Sequence, residues 1–200
     1  MSTTKVRIEV HLRPLVGQKL SVARRAADMR GFHFGRVNVE EGGDRSYGEF
    51  ALHIQCPWRL EGLNGIVTGR TDLWIPAEPS ENIDWDSWDY ENNPNLQDRR
   101  IGELPGVYDP KTRSFINETE YLVVENVEAD DFGGATLSLS GGYRLVIFPS
   151  GSAGEDWRLL KPHTGQRHLV VSGGAVEESA SRRLSCPADS STAVTVFLHP

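Results

Sequence analysis

Apolar and polar residues alternate through positions 50–60. Phe50, Leu52, Ile54, Cys56, Trp58 and Leu60 fall on one side, and Ala51, His53, Gln55 and Arg59 on the other. A period of two is the signature of a half-buried strand, so the run predicts a strand with one face in a core. Gly62, Asn64 and Gly65 supply a turn, after which 66–74 is expected to return as a second strand. A ribbon of this length needs a larger sheet to cover its apolar face. Similar alternation predicts strands over 5–13 (Val6, Ile8, Val10, Leu12) and over 19–34, the latter with a break near Ala27 and Asp28, although Leu20, Ala23, Ala27 and Arg30 also share a weak helical face. Further strands are expected over 121–128, 135–140, 143–149, 157–161 and 167–172, with Ser140-Gly141-Gly142 as a tight hairpin connection. Turn signals at this spacing imply a mainly β, β-rich α+β domain: an antiparallel twisted sheet or sandwich.

The two halves resemble each other. Ala27-Asp28, FHFG, GEFALHI and Trp58-Arg59-Leu60 follow the same order as Ala129-Asp130, LSLSGG, YRLVIF and Trp157-Arg158-Leu159. This ordering predicts two pseudo-repeated three-strand meanders, each ending in Trp-Arg-Leu. Between them, residues 76–114 form an irregular insert containing Pro76, Pro79, Pro94, Pro105 and Pro110. Within it, Asn93 is placed to cap one short helix that begins at Pro94 and runs to about Glu103. The domain is expected to span 1–178. Residues 179–200 are Ser-rich and read as a flexible tail in which 192–198 is able to add an edge strand.

The net charge is −7, and it is unevenly spread. Residues 78–131 hold 15 acidic and four basic side chains. Such a field repels nucleic acid and anionic membrane and attracts a basic protein. The first ten residues lack the apolar core of a signal peptide, and no run reaches the length of a membrane span, so a cytoplasmic protein is expected. Cys56 and Cys186 lie far apart, one on the core face and one in the tail, and are read as reduced.

Candidate chemistry is sparse. The six histidines are scattered without HxH or HExxH spacing, and Asp84, Asp86 and Asp89 lack the glycine and terminal Glu of a calcium loop. The glycine pairs sit between strands as turns, with no phosphate cradle and no nucleophile elbow. No metal, cofactor or catalytic residue is assigned. The run Asp84, Trp85, Asp86, Trp88, Asp89 and Tyr90 is the leading candidate: aromatics among carboxylates suit an interface with a basic partner. An alternative polar pocket, for a small molecule or an enzyme reaction, is drawn around His53, Gln55, Arg59 and Asp72.

The segments RAADMRGFHFG (25–35), GEFALHIQCPWRL (48–60), VTGRTDLW (67–74) and FPSG…EDWRLLKP…HLVVSG resemble a family of small uncharacterised bacterial cytosolic proteins. That family shows R-A-x-D-M…FG, ALHxQCxWR and FP…WR…HxVV patterns and carries no assigned activity. The resemblance implies a bacterial cytosolic β-rich domain and transfers no catalytic residue. The acidic aromatic loop, the small size and the absence of a catalytic set lead instead to the expectation of a non-enzymatic protein-binding domain, of the toxin-neutralising immunity type, with the polar pocket as the alternative.

Overall fold

Pro57 divides the alternating run at 50–60 into two strands that lie in different sheets. The computed structural model describes residues 3–39, 46–78, 83–109, 114–115 and 122–179. The expected strand at 192–198, the tail from 180 onward and Cys186 fall outside the described residues. The first half contributes β1 (Leu20–Ala26), β2 (Met29–Phe34), β3 (Asn38–Val39), β4 (Ser46–Tyr47), β5 (Phe50–Ile54), β6 (Trp58–Gly62) and β7 (Gly65–Gly69). The insert holds a short pair, β8 (Tyr108–Asp109) and β9 (Ser114–Phe115). The second half contributes β10 (Val124–Ala129), β11 (Ala135–Leu139), β12 (Tyr143–Ile147), β13 (Glu155–Leu160), β14 (His168–Ser172) and β15 (Ala175–Ser179).

A six-stranded sheet runs β1-β2-β5-β13-β14-β15, and a five-stranded sheet runs β10-β11-β12-β6-β7. All pairings are antiparallel. Each half therefore builds a three-strand meander and then sends its next strands into the other half's sheet: the hairpin β6-β7 from the first half and β13-β14-β15 from the second. The Trp-Arg-Leu segments do not close their own meanders, as the sequence suggested; they extend the opposite one.

The registers of the two halves correspond. Ile54 ends its meander opposite Trp157, and Ile147 ends the other opposite Trp58. A bulge between Leu20 and Val22 matches one between Val124 and Asn126. A bulge kept at equivalent places re-aims both edge strands in the same way. The two edges meet at a bridge between Lys19 and Val123. There Leu20 N donates to Leu122 O at 2.8 Å and Val124 N donates to Gln18 O at 2.9 Å, a pair of bonds related by the same correspondence.

The inward residues of both sheets form one core, which includes Phe32, Leu52, Ile54 and Trp157 from one sheet and Trp58, Leu60, Leu137 and Ile147 from the other. Phe32 and Trp58 meet edge-on across it at 5.2 Å, the arrangement favoured by the ring quadrupoles. Cys56 is a buried free thiol; burial and the nearby Asp156 charge push it up to about 12, which keeps it protonated and unreactive.

The segment 5–13 is not a strand but helix α1 (Thr4–Leu12). Ile8, Leu12 and the following Leu15 are buried at the i, i+4, i+7 spacing of a helix, while Val6 and Val10 are exposed. Ile8 and Leu12 satisfy both periods, so alternation alone misreads the segment. Thr3 caps the helix by accepting from Val6 N, and Arg7 Nη1 donates to Val176 O at 2.8 Å, fastening it to β15. The insert's helix, α2 (Leu96–Gly102), starts two residues later than expected because Asn95, not Asn93, accepts from Asp98 N. Residues 70–74 leave β7 as a 3-10 turn.

Buried Arg30 seals α2 against the sheets. Its guanidinium donates to Gln97 Oε1 and to Asp98 Oδ1 (2.5 Å), and Gln97 Nε2 continues to Gly69 O at 2.9 Å. The equivalent position in the second half is Ala135, which likewise pairs with the terminal isoleucine of its meander.

Candidate functional site

The loop 83–90 is built from two aspartate-capped turns, a geometry that short polar side chains favour. The Asp84 carbonyl accepts from Trp88 N at 3.0 Å, and its carboxylate accepts from Ser87 Oγ at 2.8 Å and Asp86 N at 3.2 Å. Asp89 Oδ1 accepts from Glu91 N and Asn92 N, both at 2.8 Å. Hydrogen bonds from the Asn92 side chain and backbone hold the Asp89 carboxyl below the usual range. Tyr90 anchors the loop to β1: its carbonyl accepts from Arg25 Nη2 at 3.2 Å, its ring lies 5.2 Å from the Arg25 guanidinium, and Trp74 packs edge-on at 6.0 Å. Trp85 and Trp88 sit 6.2 Å apart, and Trp85 stands 64% exposed at the tip. All six candidate residues thus share one ordered loop, with Trp85 projecting and not folded over the sheet.

The four residues of the alternative pocket do not converge. His53 is on the outer face of β5, and Gln55 bonds Glu155 at 3.3 Å. Arg59 lies in the other sheet, paired with Glu61 at 2.7 Å and 5.5 Å from the Phe148 ring. Asp72 caps its own 3-10 turn, accepting from Thr68 Oγ1 at 2.9 Å and Gly69 N at 3.2 Å.

His53 instead meets a residue that sequence reasoning did not select. Its ring is 5.9 Å from that of His33, on β2. Alternation puts Gly31, His33 and His53 on the outer face, yet His33 is fully buried, with the backbone at Gly48 packed against it. Gly48 allows that approach: a Cβ there would lie 2.7 Å from Phe34 O. Gly48 N donates to His33 Nδ1 at 3.2 Å. An amide N–H only donates, so Nδ1 carries the lone pair and the ring proton resides on Nε2. That Nε2–H has no hydrogen-bond partner among the described residues.

Both imidazoles are neutral at pH 7. Burial, aided by the Arg24 charge and His53, pushes His33 down to about 3. Burial, with Arg24 and Arg158 partly opposed by Glu155, pushes His53 down to about 4. In the unfolded chain both titrate near 6.5, so between these limits the unfolded state binds more protons. Stability should therefore be full above pH 6.5 and fall by on the order of a few kcal/mol toward pH 4. Urea midpoints across that range read the slope, and His53→Gln should flatten it.

No group of three or more His, Cys, Asp or Glu side chains able to hold a metal occurs among the described residues. No helix among them is long and apolar enough to cross a membrane. The chain was compared with protein-family models, curated proteins and solved structures, and none of them matches it.

Proposed function

We propose that the chain is a cytoplasmic, non-enzymatic protein-binding domain of the immunity type, which captures a basic partner through the loop 83–90. The observation that carries this reading is Trp85, 64% exposed on a turn already closed by Asp84 and Asp89. A large indole on a hydrogen-bonded loop buries apolar area without further ordering of the backbone, which is the usual character of an interface anchor. The surrounding carboxylates supply long-range steering toward positive charge.

Affinity capture with the full chain, followed by titration of the recovered partner, tests this. Trp85→Ala should weaken binding by about 2 kcal/mol or more while leaving the unfolding midpoint unchanged. Asp86→Asn removes a charge without touching either turn cap, and it should slow association and reduce its salt dependence. Recovery of no protein partner, or of one indifferent to Trp85→Ala, contradicts the reading.

A further inference from the structure

Arg70, Arg25, Arg59 and Lys161 each lie over an aromatic ring, and each is also held by a carboxylate. The Arg70 guanidinium is 5.8 Å from the Trp74 ring and bonds Asp28 at 2.6 Å. Arg25 lies 5.2 Å from the Tyr90 ring and bonds Asp98 at 3.2 Å. In the other sheet Arg59 lies 5.5 Å from Phe148 and bonds Glu61 at 2.7 Å. Lys161 is 4.6 Å from the Phe50 ring and 4.0 Å from Glu49. The recurrence has a physical reason. A ring face attracts the positive charge while a carboxylate accepts its N–H donors, and neither contact displaces the other.

The loop 83–90 holds the ring and the carboxylate of this arrangement without the cation. Residues 71–98 contain eight Asp and Glu and no Lys or Arg, so the segment has no positive side chain of its own to offer. Among the described residues no cation lies over Trp85 or Trp88. Asp84 and Asp89 close the two turns. Asp86 does not: its backbone N–H donates to Asp84, and its carboxylate has no hydrogen bond or ion pair among the described residues. Trp85 and Asp86 are consecutive and both exposed at the tip, with Cα atoms about 3.8 Å apart, so the two side chains can reach one group. Trp88, half-buried, supports Trp85 from the side at 6.2 Å.

We propose that the Trp85 indole and the Asp86 carboxylate receive one arginine side chain of a basic protein partner. The inference rests on the protein-binding reading above and names the group that the loop takes. Arginine suits the pair better than lysine. Its guanidinium is planar, stacks on an indole and donates two parallel N–H bonds to a carboxylate, whereas an ammonium is compact and strongly hydrated. Arg25, Arg59 and Arg70 are this chain's own examples of an arginine held in that way. The occupant also matches the charge of its surroundings, since the carboxylates of Asp84 and Asp89 add to the field that draws a cation to the tip.

The test titrates the full chain with tetra-arginine amide and separately with tetra-lysine amide, peptides of equal charge, while NMR follows the indole N–H groups. Tetra-arginine should move the Trp85 signal saturably and bind about threefold or more tighter than tetra-lysine. Asp86→Asn should weaken tetra-arginine binding by about threefold or more, and so should Trp85→Ala, read at Trp88. Glu177→Gln removes one charge from an exposed position on β15 and should leave the affinity within about twofold. Equal affinity for the two peptides overturns the proposal, as does equal weakening by Asp86→Asn and Glu177→Gln, the mark of diffuse charge attraction. No shift at Trp85 up to about 10 mM overturns it too. None of these results touches the protein-binding reading, which stands or falls on a protein partner lost with Trp85→Ala.

Discussion

Trp157→Ala should destabilise the protein by about 3–5 kcal/mol, measured by urea unfolding at pH 7. Trp157 is fully buried, its Nε1–H donates to Gly133 O at 2.8 Å, and its backbone faces Ile54 of the other half. Truncation leaves a cavity that two sheets must collapse to fill, and it strands a buried carbonyl. Trp58→Ala should cost a similar amount for the cavity alone, since Trp58 occupies the equivalent place opposite Ile147. A Trp157→Phe variant separates the two terms: it keeps most of the volume and loses only the hydrogen bond, worth about 1 kcal/mol.

Asp98→Ala should be nearly as damaging, about 3 kcal/mol. It leaves the Arg30 cation, 2% exposed, facing only the neutral Gln97 carbonyl. The Asp98 carboxyl is itself 40% exposed, which places the effect at the low end for a buried pair. Burial disfavours its charge, but Arg30, Asn95 and Arg25 outweigh that and hold it below the usual carboxylate range. Arg30→Met removes the cation and keeps the stem. It should cost less than Asp98→Ala, because Asp98 retains Arg25 and Asn95 as partners. The order of the two variants, read from unfolding midpoints, is the informative result.

The mainly β architecture was legible because inward residues alternate through nearly every strand, and alternation needs no knowledge of partners. The break in the long run at 50–60 was not: side chains keep their in–out alternation through Pro57 while the backbone changes sheets. The similarity of the halves was visible as order and spacing, yet the exchange of hairpins was hidden, since which strands pair is a property of the register and not of either segment alone. The acidic aromatic loop could be read directly, because its six residues fall between 84 and 90 and its turns are closed by near neighbours in sequence. The grouping around Gly31 could not. Arg24, Gly31 and His53 are brought together by cross-strand pairing, and the only local sign was a glycine inside a strand, a known mark of close approach.

The two halves complete each other's sheets. Native-state hydrogen exchange on β5, β6, β12 and β13 tests it most directly, because β5 pairs with β13 and β12 with β6. Amides in all four strands should exchange through one opening whose free energy equals that of global unfolding. Exchange of β1-β2-β5 at a free energy well separated from that of β10-β11-β12 would contradict it.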